Sequence, residues 1–313
     1  MNRNPVPEGG PVFQSVEEVQ QRFREARYIA SRRVATVVYL AARMGRPVLI
    51  EGPAGVGKTE LAKTLSDVTG RRLIRLQCYE GLDEGKALYE WKYAKQLLYT
   101  QLLRERIGEL IADAPSLPEA VGKIAGQEDA FFSFRFLSPR PLLQAILADE
   151  PVVLLVDEID KAEPEFEAFL LEVLSDFQVS VPELGTVRAK HIPLVVLTSN
   201  NARELSDGLK RRCLHLFIDF PPPADELAII RLKVPEVPAE LAKAVVNAVQ
   251  KIRAMDLRKL PSVSESLDWA RSLVILNAQE LDPAIVESTL SMLVKHEKDL
   301  ERVRGALDKV LAE

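Results

Sequence analysis

Gly52-Pro53-Ala54-Gly55-Val56-Gly57-Lys58-Thr59-Glu60 contains a complete G-x-x-x-x-G-K-[ST] phosphate loop, and its flanks give it a structural setting. The apolar run Pro47-Val48-Leu49-Ile50 enters it as a strand, and a helix leaves it from Lys58 through Leu61, Ala62 and Leu65 to about Val68, where Thr69-Gly70 stops the helix. Glycine lets such a loop curl so that successive N–H groups face inward. The following helix adds its positive N-terminal end, so a polyphosphate is held mostly by main chain. Lys58 then reaches the β- and γ-phosphates and the Thr59 hydroxyl binds magnesium, which makes residues 52–60 the expected ATP contacts. A Gly-rich turn arising by chance would need neither Lys58-Thr59 nor these flanks.

Two further strand ends supply polar groups. Val152-Val153-Leu154-Leu155-Val156 delivers Asp157-Glu158 to its C-terminal end, the end at which α/β sheets hold ligands. Asp157 is expected in the magnesium shell, and Glu158 as the group that orients the attacking water or takes its proton. An acidic pair at a helix start is the plain alternative. Pro193-Leu194-Val195-Val196-Leu197 ends in Thr198-Ser199-Asn200-Asn201, where Asn200 is the expected hydrogen-bond partner of the water or γ-phosphate. Asn201 is the fallback, and a simple turn role is the alternative for both.

Strands over Leu73–Cys78 and Leu214–Ile218 bring the number expected to five, separated by helical stretches, which predicts an α/β fold with a mainly parallel, helix-covered sheet. Residues 1–14, rich in Pro and Gly, read as a mobile tail; helices follow Ser15 and span about Ser31 to Arg43. The α/β core is expected over 15–222, with a helical insertion near 81–150 that carries the aromatic patch Phe131-Phe132-Ser133-Phe134-Arg135-Phe136. Tyr89, Trp91 and Tyr93 alternate with charged residues, so one face there is expected to be exposed. After Pro221-Pro222-Pro223 the strand pattern ends, and helices near 224–232, 239–255, 266–276 and from 283 onward predict a small all-helical domain over 223–313.

The 313 residues are 47% hydrophobic with a formal charge of −5 and a pI of about 5.5, against the basic field that a general nucleic-acid or anionic-membrane surface requires. Cys78 and Cys213 form no disulfide framework and no metal-like spacing; both read as small apolar side chains on strands, in a reducing cytoplasm. No apolar run approaches the ~18 residues of a membrane span, and the start has no apolar signal core.

The order of phosphate loop, Leu154-Leu155-Val156-Asp157-Glu158-Ile159-Asp160, Leu197-Thr198-Ser199-Asn200 and Leu209-Lys210-Arg211-Arg212-Cys213 resembles AAA+ ATPases of the MoxR family, from about residue 25 onward. The stretches Ile74 to Gly81, Ala168 to Asp176 and Leu267-Asp268-Trp269-Ala270 are similar to its CoxD-like branch, associated with carbon monoxide dehydrogenase maturation. The resemblance implies a P-loop AAA+ core followed by a helical lid. It also implies a homo-oligomeric ring, a hexamer, in which Arg212 acts in trans on a neighbour's γ-phosphate, with Arg211 as the rival. It further implies a von Willebrand factor A domain partner and a molybdenum-containing dehydrogenase as the metalloenzyme client. The pair of short strands around Pro182-Glu183-Leu184-Gly185 resembles the family's pore-side hairpin, with a plain edge hairpin as the equal alternative. One position departs: where the family commonly has a lid arginine, this chain has Glu265, so either another lid residue such as Arg258 or Arg271 serves or lid closure is coupled to ATP differently, and that contact is left unassigned. A nucleotide-gated binding module, a DNA-directed motor and a small-molecule phosphotransferase are the competing readings.

Overall fold

The structure, a computed structural model, describes residues 12–125, 133–182 and 184–311. Ser15 and Ser31 accept the N–H groups of Glu18 and Val34 and so open α1 (Val16–Glu25) and α2 (Arg32–Met44). β1 (Val48–Glu51) leads through the phosphate loop into α3 (Lys58–Thr69) and β2 (Arg72–Gln77). The interval that follows holds α4 (Glu84–Leu88), β3 (Tyr89–Trp91), α5 (Tyr93–Leu102), α6 (Arg104–Ile111), α7 (Leu117–Ala125), β4 (Leu137–Pro139) and α8 (Pro141–Ile146). β5 (Val152–Asp157), α9 (Pro164–Asp176), the antiparallel hairpin β6 (Gln178–Val181) and β7 (Gly185–Arg188), β8 (Leu194–Ser199), α10 (Asp207–Arg212) and β9 (Leu214–Phe217) complete the core.

Among the described residues the main sheet has five parallel strands in the order β2-β5-β8-β1-β9. β5 and β8 are buried along their whole length, which is why both read as continuous apolar runs. Side-chain alternation divides the strands between two cores: Leu154 and Val156 pack on one face, Val153 and Leu155 on the other. β2 is an edge strand, and its Ile74 and Leu76 turn inward while Arg75 and Gln77 face out. The register sets Gln77 opposite Asp157, so the outward row of β2 ends beside the carboxylates that leave β5.

Several expectations need correction. Residues 1–11 of the expected tail lie outside the described residues, but Phe13 is fully buried, with the Arg22 guanidinium 5.7 Å from its ring centre. Trp91 is buried because β3 pairs with β4, setting Trp91 opposite Leu137; only Tyr93 of the three alternating aromatics is largely exposed. Phe131 and Phe132 lie outside the described residues, Phe134 is exposed, and Phe136 is buried edge-on to Tyr99. Cys78 and Cys213 are buried just beyond β2 and just before β9 rather than within strands, and burial pushes both thiols up to about 12.

Past the prolines come α11 (Pro223–Lys233), α12 (Ala239–Arg253) and α13 (Val263–Ile275), around a separate apolar cluster that includes the fully buried Trp269. α13 starts three residues before expectation because Ser262 and Glu265 form a reciprocal capping box. The single helix expected from Pro283 is instead broken into α14 (Pro283–Thr289), a 3-10 turn at Leu290–Met292, α15 (Glu297–Arg304) and α16 (Leu307–Leu311). A straight helix would set Val286 and Val303 about 25 Å apart along its axis, whereas both pack in the one cluster here.

Candidate nucleotide site

The loop between β1 and α3 closes because of its glycines. Gly52 has φ 150°, and a Cβ on it would lie 1.9 Å from the Ile218 carbonyl oxygen. Gly55 has φ 76°, and its Cβ would lie 2.4 Å from Ser262 Oγ, at the start of the helical region's α13. Ser264 N–H donates to the Gly55 carbonyl at 3.2 Å, so the helical region rests directly on the phosphate loop.

Lys58 is 6% exposed, and its Nζ donates to Gly52 O at 2.7 Å, Pro53 O at 2.6 Å and Asn200 Oδ1 at 2.8 Å. Burial holds its pKa below the ordinary lysine value, opposed by the carboxylates of Asp160, Asp157 and Glu158. Asp157, 2% exposed, accepts from Thr59 Oγ1 at 3.0 Å and Thr198 Oγ1 at 2.5 Å on Oδ1, and from Arg75 Nη2 at 2.6 Å on Oδ2. Thr198 Oγ1 also accepts the Glu158 N–H at 2.9 Å, fixing the turn in which Glu158 takes the left-handed conformation at φ 57°. The Glu158 carboxylate accepts from Asn200 Nδ2 at 3.1 Å, Gln77 Nε2 at 2.8 Å and Lys161 Nζ at 2.6 Å. Asp160, also buried, accepts the N–H groups of Asn200 and Ala202 and so holds the turn after β8 against the turn after β5.

Two adjoining cavities meet at the loop. One of about 250 Å³ is lined by Lys58, Thr59, Asp157, Glu158, Thr198 and Asn200. The other, about 280 Å³, lies between Tyr28 and Ile29 on the core side and Ile229, Leu267 and Arg271 on the lid side. Gly55, Gly57, Glu60 and Ser264 belong to both, so a charged pocket continues into an apolar one, the order of chemistry along a nucleotide triphosphate. Glu60 also ties core to lid through Lys233 Nζ at 2.9 Å, and the Arg27 side chain donates to the Leu232 carbonyl. Burial, reinforced by Glu60, raises the Tyr28 pKa, which keeps its phenol neutral.

Thr59 and Asp157 offer a hydroxyl and a carboxylate side by side, hard oxygen donors that fit magnesium. No group of three His, Cys, Asp or Glu side chains able to hold a metal occurs among the described residues.

The structure thus brings Lys58, Thr59, Asp157, Glu158 and Asn200 together. Asn201 sits in a left-handed turn with its N–H on Ser199 Oγ, whereas the Asn200 amide bridges Lys58 and Glu158. Arg212 lines neither cavity; its Nε donates to Ser175 Oγ at 2.6 Å, and Arg46 caps its helix by donating to the Arg211 and Arg212 carbonyls. Glu265 is engaged in the α13 cap, the Arg258 N–H donates to Asp299, and Arg271 lines the apolar cavity. Arg75, Gln77, Thr198 and Tyr28 are site residues the sequence reading passed over. The alternation of β2 marks Arg75 and Gln77 as one outward row, but only the register shows where that row ends.

A family model described as AAA domain (dynein-related subfamily) matches residues 47–213. Chaperone protein ClpB of Bacillus cereus is 26% identical over 219 residues, 64% of this chain and 22% of that protein. Midasin of Dictyostelium discoideum is 26% identical over 215 residues, 66% of this chain and 3% of that protein. The chain therefore spans less than a quarter of the length of these relatives. A solved structure of a Thermotoga maritima RuvB mutant, 15% identical, superposes with a TM-score of 0.50 over 95% of this chain and 79% of its own, a likeness of fold. With the matched residues making up more than half of the chain, and with the loop, the paired carboxylates and the asparagine gathered at one end of a parallel sheet, the protein belongs to the AAA domain family, in its dynein-related subfamily.

Proposed function

We propose that the chain is a magnesium-dependent ATPase of MoxR type that hydrolyses ATP between adjacent copies of itself and uses the cycle to remodel a partner protein. The observation that carries this reading is the meeting of Lys58, Thr59, Asp157, Glu158 and Asn200 in one cavity under a lid that touches the loop. Main-chain N–H groups of the loop and the Lys58 ammonium bind the β- and γ-phosphates. Thr59 and Asp157 would hold magnesium, which when bound would offset phosphate charge. Glu158, positioned by Asn200, Gln77 and Lys161, takes a proton from water as its oxygen bonds to the γ-phosphorus and the bond to the β-phosphate oxygen breaks, giving ADP and phosphate. Arg212 of one copy stabilises the charge developing at the site of the next, in a closed ring, a hexamer by resemblance.

The exposed apolar side chains Leu97, Leu102 and Leu117 on α5 and α7 support a role in contacting other proteins. The chaperone named among the relatives supports a chaperone-like task. The finer assignment is the CoxD-like branch in the cytoplasm, with a von Willebrand factor A domain partner and maturation of a molybdenum-containing dehydrogenase as the work done; it rests on the sequence resemblance. No helix among the described residues is long and apolar enough to cross a membrane.

Phosphate release from ATP tests the reading. The wild-type chain is expected to turn over, and Glu158→Gln to bind ATP with unchanged affinity while turnover falls at least about a hundredfold. Equal turnover in the two proteins would remove Glu158 from the chemistry; absence of turnover in the wild type with tight ATP binding would favour a nucleotide-gated binding module. Partners retained by ATP-loaded Glu158→Gln would identify the client.

A further inference from the structure

Asp157 is a buried carboxylate whose charge is met by an arginine. Its Oδ2 lies 2.6 Å from Arg75 Nη2 and 3.0 Å from Arg75 Nε, while its Oδ1 accepts from the Thr59 and Thr198 hydroxyls. A carboxylate 2% exposed requires a compensating charge. The hydroxyls supply hydrogen bonds but no net charge, the nearby Lys58 ammonium bonds Gly52, Pro53 and Asn200 rather than Asp157, and the Arg75 guanidinium carries its charge at any working pH.

Arg75 is unlike the other groups around Asp157 in being free to leave. It stands on β2, the edge strand, and its side chain is 49% exposed. Its second bond runs outward, from Nη2 to Gln77 Oε1 on the same outward row. The arm can therefore swing toward solvent without opening the core.

We infer that Arg75 is the resident counter-cation of Asp157 and that a divalent metal must displace its charge, so that metal binds at this site only when nucleotide phosphates add negative charge. The inference rests on the reading of Asp157 as a metal ligand. Two cations competing for one carboxylate repel each other at short range, and because the carboxylate itself is buried that repulsion is only partly screened. Phosphate oxygens would tip the balance by adding negative charge and further hard oxygen ligands for a divalent ion. Arg75 is thus a positioning residue that couples metal binding to nucleotide binding and keeps the nucleotide-free site metal-free.

Manganese titrations followed by electron paramagnetic resonance, with and without ADP, read this directly in the full chain. The wild type is expected to bind Mn²⁺ in the presence of ADP and weakly without it. Arg75→Gln is expected to bind Mn²⁺ at least about tenfold more tightly without ADP, while Arg75→Lys, which keeps the charge, stays within about threefold of wild type. Arg75→Met gives the same reading should Arg75→Gln fail to fold. In chelator, Arg75→Gln is expected to melt below the wild type and to recover on adding Mn²⁺. Mn²⁺ binding by the wild type with ADP, together with ADP-free binding no tighter in Arg75→Gln and Arg75→Met than in the wild type, would overturn the role of Arg75 alone. No Mn²⁺ binding to the wild type with ADP would overturn the metal-ligand reading of Asp157 and this inference together.

Discussion

Replacing Glu226 with alanine should uncouple the lid from its hinge. The carboxylate is fully buried and accepts from Arg253 Nη1 at 2.6 Å, Arg253 Nη2 at 2.7 Å, Gln250 Nε2 at 2.8 Å and Ser266 Oγ at 2.8 Å, joining α11, α12 and α13. Arg253, 6% exposed, also donates to Pro261 O and stacks 4.7 Å from the centre of the Phe220 ring at the hinge. Removing the carboxylate strands that guanidinium in the interior, and breaking a buried pair costs about 3–5 kcal/mol. With a urea slope of ~2 kcal/mol/M the midpoint should fall by about 2 M. Equilibrium urea unfolding followed by fluorescence of the buried Trp269 and by circular dichroism measures it. The double replacement Glu226→Leu with Arg253→Met should regain most of the loss, because it removes both charges and keeps the volume filled. A loss below about 1 kcal/mol in the single variant, or a double variant no better than the single, would refute the reasoning.

Three further outcomes follow from the geometry. Thr198→Val removes the hydroxyl that accepts the Glu158 N–H and donates to Asp157; urea unfolding should show a loss of about 1–3 kcal/mol, and phosphate release should slow at least tenfold at unchanged ADP affinity. Gly55→Ala places a Cβ 2.4 Å from Ser262 Oγ at a left-handed φ, so calorimetry should find ADP bound at least about tenfold more weakly, a penalty of ~1.4 kcal/mol or more. The N–H groups of Arg258 and Lys259 hold the Asp299 pKa below the ordinary carboxylate value. A depressed folded-state pKa stabilises above the unfolded value near 4, and that contribution is lost as the pH falls through the folded value. The stability gap between wild type and Asp299→Asn should therefore be widest above about pH 5 and narrow below about pH 4.

What could be read in the sequence was local. Residues 52–60 identify themselves by spacing, and Asp157, Glu158 and Asn200 by standing where apolar strands end, because a parallel sheet collects those ends on one side. Arg75 and Gln77 escaped because their role depends on which strand pairs with β5 and in what register. The apolar cavity was equally hidden: Tyr28, Ile229 and Leu267 come from three distant segments and meet only through tertiary packing. Glu265 has a local signal, since Ser262 and Glu265 have the spacing of a capping box, and that cap engages its side chain. The break in the last helix came from the demand that Val286 and Val303 share one core, which overrode continuous helical periodicity.

On the proposed function, phosphates and water are handled by one copy of the chain and the guanidinium of Arg212 arrives from the next. Steady-state ATP hydrolysis by mixtures of Lys58→Ala and Arg212→Ala chains tests it, since each is expected to be inactive alone. In an equal, randomly assembled head-to-tail ring about a quarter of the seams would pair an intact loop with an intact arginine, so activity should reappear on mixing and pass through a maximum near equal proportions. Silence at every ratio, or an Arg212→Ala chain that hydrolyses ATP at the wild-type rate regardless of dilution, would contradict it.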